Sequence, residues 1–318
     1  MDGIKIISPG GYTTIQDRGR FGFQHMGIPV SGVLDNFAFT LANLLVRNPE
    51  NTAAMEITVM GPSLEIRKEM DIALTGAKIK IMVNEKPRDQ WRSIRVKPGD
   101  NVTIGQVTSG CRAYLAFGGG VRLPEVMGSY ATYVGGKIGG FKGRPLLPDD
   151  ILEIRDVPLL MKEACLPVEM IPVYQSQAVV RAIPGPQDDY FDQGLHALFQ
   201  SEYMVTVKAD RMGYRMQGPP VPIKDGMPKS IISEPSVPGS IQIPPDEQPI
   251  ILLVEQTVGG YAKIATVISS DLPIVAQTTP GDTIQFEKVN LDMAYDLIIE
   301  EQHKLNSIKD YLFKGKTT

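Results

Sequence analysis

The sequence predicts a mainly β protein with two lobes and few helices. Most of the chain consists of short apolar or alternating runs separated by glycine, proline and aspartate, a pattern typical of barrels and sandwiches. Prolines interrupt any regular element near residues 161–177. With 318 residues, 42% of them hydrophobic, the chain can form two cores. We therefore expect one lobe over residues 1–165 and a second over residues 175–318.

The predicted strands follow one another along nearly the whole chain. They are Ile4–Ile7, Ile72–Leu74, Ile79–Val83, Val102–Ile104, Ala113–Phe117, Ile151–Ile154, Val179–Ile183, Ile231–Ser233, Ile250–Val254 and Thr283–Phe286.

Helical periodicity is confined to three segments, Asp35–Val46, Asp189–Phe199 and Leu291–Phe313. Asn290 is placed to cap the last of them, and an apolar stripe follows this cap. We expect the stripe to dock on a sheet; its members are Leu291, Tyr295, Ile298 and Ile299.

Composition excludes several classes of protein. Lysine and arginine total 32 against 36 acidic residues, and no basic run occurs, so a nucleic-acid partner is not expected. The apolar runs are far shorter than the roughly 20 residues that cross a bilayer, and Met1 opens no signal-peptide pattern, so we expect a cytoplasmic protein without a membrane span. Two distant cysteines and three isolated histidines predict no metal site.

The most informative segment of the first lobe is the glycine-rich run Gly10–Gly22. Glycine lets backbone amides approach a ligand. Arg18 and Arg20 could clamp an oxyanion that Gln16 and Asp17 orient. A second glycine-rich stretch, residues 118–144, contains Ser129 and Thr132. It could form an anion-binding nest of amides or simply pack as turns, and glycine density does not separate the two.

Two polar clusters mark the second lobe. The segment Ala209–Met216 gathers Asp210, Arg211 and Arg215 around one glycine, which suits carboxylate or phosphate but also an ordinary surface ion pair. Further along, polar side chains interrupt apolar strands just before turn glycines. These residues, which could face a ligand or close strand ends, are Gln242, Gln256 and Tyr261.

Taken together, these segments resemble one family. The residues that carry the resemblance include Thr13-Thr14-Ile15-Gln16-Asp17-Arg18-Gly19-Arg20, Asp210-Arg211-Met212-Gly213-Tyr214-Arg215, Gln256-Thr257 with Gly259-Gly260-Tyr261, and Pro280-Gly281-Asp282. They are similar to the allophanate hydrolase subunit 2 or KipA family, which includes the C component of 5-oxoprolinase and one half of the carboxyltransferase domain of urea carboxylase. The similarity extends over nearly the whole chain, with departures at Glu255, Val258 and Ala262.

The resemblance implies two cyclophilin-like β-barrel lobes and a partner of the KipI or allophanate hydrolase subunit 1 type. With a third subunit, such a pair uses ATP to open the small molecule 5-oxoproline to glutamate. One alternative is a carboxyltransferase component that receives a carboxyl group from biotin on another chain. Another is a non-catalytic KipA-type antagonist of a kinase inhibitor.

We further expect the candidate residues to converge on one anion-accepting cleft between the lobes. The predicted catalytic residues are Asp17, Arg20, Asp210, Arg211 and Arg215, of which Arg211 and Arg215 would hold a phosphate or carboxylate. The predicted substrate-binding residues are Gln16, Ser129, Thr132, Gln242, Gln256 and Tyr261, and the three glutamines would read the lactam.

Overall fold

The computed structural model describes residues 3–314, which form two compact units. The first contains residues 3–21, 31–173 and 304–314, and the second contains residues 22–30 and 174–303. The second unit thus takes residues 22–30 from within the first, and the first takes residues 304–314, which follow the second in sequence. The lobes predicted at 1–165 and 175–318 did not include this exchange.

The first unit is a nine-stranded sheet that curves into a half-barrel. Its strands are β1 (Gly3–Ser8), β2 (Tyr12–Gln16), β3 (Ala54–Thr58), β4 (Ser63–Ile66), β5 (Met70–Val83), β6 (Lys86–Arg88), β7 (Ser93–Val96), β8 (Asn101–Phe117) and β9 (Ile151–Glu153). The main order is β2-β3-β8-β4-β1-β9, and β5 joins β8 to β6 and β7. All of these pairs are antiparallel.

Two layers of side chains bury both faces of this sheet. Along β8, Leu115 and Phe117 enter the core inside the sheet, while Tyr114 and Ala116 enter the core under helix α1 (Asn36–Leu45). Burial on both faces explains why this part of the chain is continuously apolar, since neither side of the strand meets water.

The second unit is a closed barrel with the order β10-β17-β14-β15-β12-β11-β18. Its strands are β10 (Gln177–Pro184), β11 (Glu202–Ala209), β12 (Gly213–Gln217), β13 (Glu234–Pro235), β14 (Ser240–Ile243), β15 (Ile250–Leu252), β16 (Val258–Gly259), β17 (Ala262–Val267) and β18 (Thr283–Lys288). The short strands β13 and β16 pair only with each other. Helices α2 (Asp192–Gln200) and α3 (Leu272–Ala276) belong to this unit, and α4 (Leu291–Lys314) ends the described chain.

The prediction of a mainly β fold in two lobes with few helices is confirmed. The first predicted helix begins at its cap, Asp35, and the third matches α4 closely. The second helix begins at Asp192, three residues later than predicted, because a 3₁₀ turn precedes it. The strand predicted at Ile231–Ser233 is wrong, since pairing starts only at Glu234.

The predicted docking stripe of α4 is also wrong. Leu291, Tyr295 and Ile299 are each more than half exposed, and Ile298 is 39% exposed. The inward position of this part of the helix is Ala294, which packs with Val289 and Ile268. The periodicity identified a helix correctly. More than one face of this helix carries apolar residues, however, and the face that packs is not the predicted one.

Within residues 3–314 no helix combines the length and the apolar character needed to cross a bilayer. The same residues contain no group of three or more His, Cys, Asp or Glu side chains arranged to hold a metal ion.

Candidate functional site

In the first unit, Asp17 and Ser129 come together although 112 residues separate them. Oδ1 of Asp17 accepts hydrogen bonds from Ser129 Oγ at 2.6 Å and from the backbone N–H of Gly19 at 2.9 Å. Oδ2 accepts from the N–H of Tyr130 at 2.7 Å. Three donors of the chain therefore fix this buried carboxylate, and they tie the end of β2 to the glycine-rich stretch.

Arg20 is completely buried beside this carboxylate. Its Nε donates to the carbonyl of Val126 at 3.0 Å, and Nη2 donates to the carbonyl of Ala131 at 2.9 Å. Burial lowers the pKa of the Arg20 guanidinium, and the charge of Asp17 opposes that change. The arginine predicted to clamp a ligand thus holds two backbone carbonyls of its own chain.

Gln16 and Thr132 complete the buried cluster of the first unit. Gln16 Nε2 donates to Thr14 Oγ1 at 3.0 Å and to the carbonyl of Thr132 at 3.1 Å, and Thr132 Oγ1 donates to the carbonyl of Ile15 at 2.7 Å. Gln16 Oε1 and Arg20 Nη1 have no hydrogen-bond partner among the described residues. The five residues predicted here therefore form one group, with two polar atoms unused.

Two glycines next to this cluster leave no room for a side chain. A Cβ on Gly139 would lie 2.2 Å from the carbonyl oxygen of Ala131, and one on Gly140 would lie 1.8 Å from Thr132 Oγ1. Both glycines have positive φ, 66° and 52°. Part of the glycine density in the stretch 118–144 thus serves close packing around Arg20 and Thr132.

In the second unit, four predicted residues line one cavity of about 200 Å³. They are Asp210, Arg215, Gln242 and Gln256; Lys208, Met212, Gly213, Ile250 and Leu252 complete the wall. Strands β12, β14 and β15 are neighbours in the barrel, so the cavity has a rigid floor. Its wall combines two cations, one carboxylate and two amides with apolar surface, a composition suited to a small polar ligand.

The side chains on this wall differ in how firmly they are held. Oδ1 of Asp210 accepts from the N–H groups of Met212 and Gly213 at 2.7 and 3.2 Å. Arg215 is only partly buried and pairs with Asp246 at 2.8 Å, while Gln256 donates to the carbonyl of Val258.

Arg211 and Tyr261 do not line the cavity. Arg211 is buried and its Nε donates to Glu255 Oε1 at 2.6 Å, with both side chains less than 10% exposed. The roles predicted for the residues of the two units, and their convergence on one cleft, stay predictions.

The sequence analysis missed a buried lysine in β17. Lys263 is 3% exposed, and its Nζ donates to Glu234 Oε1 at 2.8 Å. The same oxygen accepts from Gln187 Nε2 at 3.0 Å, while Gln187 Oε1 accepts from the backbone N–H of Lys263 at 2.9 Å. The hydrogen bond from Lys263 lowers the pKa of the Glu234 carboxyl, partial burial opposes that shift, and Gln187 adds to it. A lone lysine inside an apolar strand was the signal that could have revealed this site.

Comparison with known proteins places the chain in a family. Residues 26–288 match the family described as carboxyltransferase domain, subdomain A and B. The chain belongs to this carboxyltransferase family.

Relatives of this carboxyltransferase family member include the C component of 5-oxoprolinase from Haemophilus influenzae, which is 34% identical over 96% of this chain and 97% of its own length. The C component of 5-oxoprolinase from Escherichia coli is 36% identical over 92% and 93%. The crystal structure of K. lactis urea amidolyase superposes with a TM-score of 0.91 and 30% identity over 96% of this chain. The match spans 20% of the length of that amidolyase.

Proposed function

We propose that this chain is the C component of an ATP-dependent 5-oxoprolinase that opens 5-oxoproline to glutamate. It would act with a KipI-type subunit and a third subunit, and be active only in that complex. The observation that carries the proposal is the match to the C components of two bacterial 5-oxoprolinases. In each case the match covers more than nine-tenths of this chain and more than nine-tenths of the relative. A relation of this extent covers the whole relative rather than one shared module.

The reaction sets clear demands on the protein. Water adds to the lactam carbonyl, the C–N bond breaks, and the nitrogen takes a proton to become the amine of glutamate. A site for this step needs hydrogen-bond donors at the carbonyl oxygen, where negative charge develops, and a cation for the substrate carboxylate.

The cavity of the second unit supplies groups of these types. In the proposal, the partly exposed cation of Arg215 draws the substrate carboxylate toward the cavity, and the amides of Gln242 and Gln256 bind the lactam. Asp210 is fixed by two backbone N–H groups, so its free oxygen can orient a donor of the substrate or of a partner subunit.

We assign no step to ATP within this chain. The sequence has no Gly-x-x-x-x-Gly-Lys-Ser/Thr P-loop, because its Gly-Lys-Thr at residues 315–317 has Asp310 in place of the first glycine of that motif. In the proposal the nucleotide is bound by another subunit.

Reconstitution tests the proposal. The purified chain, mixed with its KipI-type partner and the third subunit, should release glutamate from 5-oxoproline only when ATP is present. Omission of this chain should abolish release. Lack of release by three folded subunits that assemble would reject the proposal.

A variant tests the cavity. In the complex, Arg215→Met should lower kcat/KM at least tenfold, a loss of about 1.4 kcal/mol in transition-state stabilisation. The control is Lys224→Met, which removes another partly exposed cation of the same unit, paired with Asp192 at 3.2 Å. Equal activities of the two variants would place the substrate elsewhere.

A carboxyltransferase component is the second candidate, favoured by the description of the matching family and by the likeness to urea amidolyase. The chain has no Met-Lys-Met biotinylation site, so biotin would come from another protein. Turnover that avidin blocks would favour this candidate, whereas avidin-resistant, ATP-dependent glutamate release would favour 5-oxoprolinase.

A further inference from the structure

Lys263 and Gln187 hold a carboxylate that belongs to the protein itself. Both donate to the same oxygen of Glu234, at 2.8 and 3.0 Å. The lysine side chain is 4% exposed, whereas that of Glu234 is 38% exposed. The cation is thus built into barrel strand β17, the amide lies in the turn that follows β10, and the carboxylate reaches both from the surface.

The segment that brings Glu234 to this position is lightly held. Strand β13 has two residues and pairs only with the two residues of β16. Little regular structure would be lost if Glu234 moved away. An incoming carboxylate could take its place without leaving the buried ammonium unpaired, and this avoids the main cost of separating a buried ion pair.

Two polar atoms beside this pair have no partner among the described residues, Gln242 Oε1 and Ser236 Oγ. Gln242 lies opposite Lys263 across β14 and β17, so their side chains share one face of the sheet. Gln242 and Ser236 are both more than nine-tenths buried, and Gln242 also lines the cavity of about 200 Å³. Polar groups left unused in such a position have the capacity to form hydrogen bonds with a ligand.

Gly259 lies against both of these atoms. A Cβ at this position would lie 2.9 Å from Gln242 Oε1 and 3.2 Å from Ser236 Oγ. The amide oxygen of Gln242 accepts from an N–H, and the hydroxyl of Ser236 can donate to a carbonyl. Adjacent N–H and C=O groups facing the same way are the signature of a lactam.

We propose that Lys263, Gln187, Gln242 and Ser236 form a subsite for a carboxylate-bearing lactam, and that Glu234 occupies its carboxylate position until the substrate displaces it. This inference rests on the proposed function and names 5-oxoproline, whose carboxylate is attached next to the ring N–H, as the matching ligand. Lys263 and Gln187 receive the carboxylate, Gln242 accepts from the N–H, and Ser236 donates to the carbonyl oxygen.

Isothermal titration of the full chain, alone and within the complex, with 5-oxoproline tests the subsite. Lys263→Met should weaken binding at least about tenfold, because a charge-assisted hydrogen bond to the carboxylate is lost. Glu234→Gln should tighten binding at least about threefold, because it removes the competing carboxylate and leaves the buried Lys263 ammonium without an anionic partner until the substrate binds. A purely structural role of Glu234 predicts unchanged or weaker binding, and that result would overturn the displacement.

A matched pair of glycine variants tests the lactam contacts. Gly259→Ala needs no unusual φ, and the atoms nearest to its Cβ would be the side-chain ends of Gln242 and Ser236, so the fold should persist while binding weakens about tenfold. In Gly260→Ala the new Cβ meets nothing closer than 3.3 Å, and binding should stay within about twofold. Equal affinities of the two variants would overturn the assignment.

Two analogues separate the parts of the subsite. 2-Pyrrolidinone, which lacks the carboxylate, should bind weakly and be insensitive to Lys263→Met. Cyclopentanecarboxylate, which lacks both the ring N–H and the carbonyl, should be insensitive to Gly259→Ala. An active wild-type complex whose binding ignores these substitutions refutes the subsite and leaves the proposed function standing. A complex that binds as described but releases no glutamate refutes the function and leaves the subsite standing. Absence of 5-oxoproline binding to the chain and to the complex refutes the subsite.

Discussion

Arg20 is among the largest fully buried side chains, and it holds the carbonyls of Val126 and Ala131. Arg20→Met preserves much of the buried volume but leaves both carbonyls without this donor and Asp17 without its neighbouring cation. We expect the free energy of unfolding to fall by about 3–5 kcal/mol. Urea denaturation of the full chain measures it.

The control for this substitution is Arg122→Met. Arg122 pairs with Glu153 at 3.2 Å, and both side chains are about half exposed, so its loss should change stability by no more than about 1 kcal/mol. A similar loss in both variants would show that Arg20 contributes only as a surface cation would.

Tyr114 gives the protein a pH dependence in the alkaline range. It is fully buried; its hydroxyl donates to Glu56 Oε2 at 2.9 Å and accepts from the N–H of Asp35 at 2.8 Å. Burial raises the pKa of Tyr114 well above its usual range, and the carboxylates of Glu56 and Asp35 raise it further. The unfolded chain ionises this tyrosine near pH 10, about its usual pKa, whereas the native state keeps the proton.

The contribution of the Tyr114 proton to the free energy of unfolding should therefore be fully present below pH ~10. Above that pH the free energy of unfolding should fall by about 1.4 kcal/mol per pH unit for this single proton. Urea unfolding at several pH values between 9 and 11 measures the slope. Tyr114→Phe should be less stable at pH 9, since the hydroxyl's hydrogen bonds are lost, but should have a shallower slope. If the free energy of unfolding falls with pH at the same slope in Tyr114→Phe and in the unmodified protein, Tyr114 is not the group that causes the pH dependence.

At this scale the sequence located polar residues better than it assigned their partners. It marked Asp17 and Arg20 on one glycine-rich stretch and Ser129 and Thr132 on another as site residues, and hydrogen bonds of Asp17 join the two stretches. It did not show that their hydrogen bonds go to backbone groups, because a carboxylate among glycines accepts equally well from a ligand or from its own chain. The sequence did not identify Lys263 as a site residue, because its burial depends on a counter-ion, Glu234, that lies 29 residues away in sequence.

At the scale of elements, a bulge explains why strand prediction broke β5 into two pieces. The sequence predicted Ile72–Leu74 and Ile79–Val83, but one strand runs from Met70 to Val83. Its register shifts just after Gly76, where a Cβ would lie 2.4 Å from the carbonyl oxygen of Arg112. A bulge changes the alternation of side chains, so a period of two identifies each half but not their continuity.

The two helix caps make a matched test of how burial changes the energy of a cap. Asp35 Oδ1 accepts from the N–H of Ala38 at 2.9 Å in a fully buried setting, and Asn290 Oδ1 accepts from the N–H of Met293 at 2.9 Å at the surface. We expect Asp35→Ala to cost about 2 kcal/mol and Asn290→Ala about 0.5–1 kcal/mol, because water can replace only the exposed cap. Thermal and urea unfolding measure both values. Equal losses would show that burial adds nothing to the cap.

At the scale of the whole molecule, the last turns of α4 belong to the core of the first unit. Leu305, Ile308 and Leu312 are buried with the side chains of α1. Arg47 Nη2 also donates to the carbonyl of Leu312 at 2.6 Å. The sequence signalled an amphipathic helix here, but it did not show which core the helix completes, because an apolar stripe fits any complementary apolar surface.

This packing predicts that a fragment of residues 1–173 lacks part of its own core. Three buried side chains contribute about 5 kcal/mol together, so the fragment should unfold at much lower urea concentration than the same fragment joined by a flexible Gly/Ser linker to residues 304–318. The control is the joined fragment with Ile308→Asp, which keeps the length and the linker but places a charge at a position that is 1% exposed. It should unfold at the same urea concentration as the fragment without the helix. If the fragment of residues 1–173 and the joined fragment unfold at the same urea concentration, the segment does not stabilise the first unit.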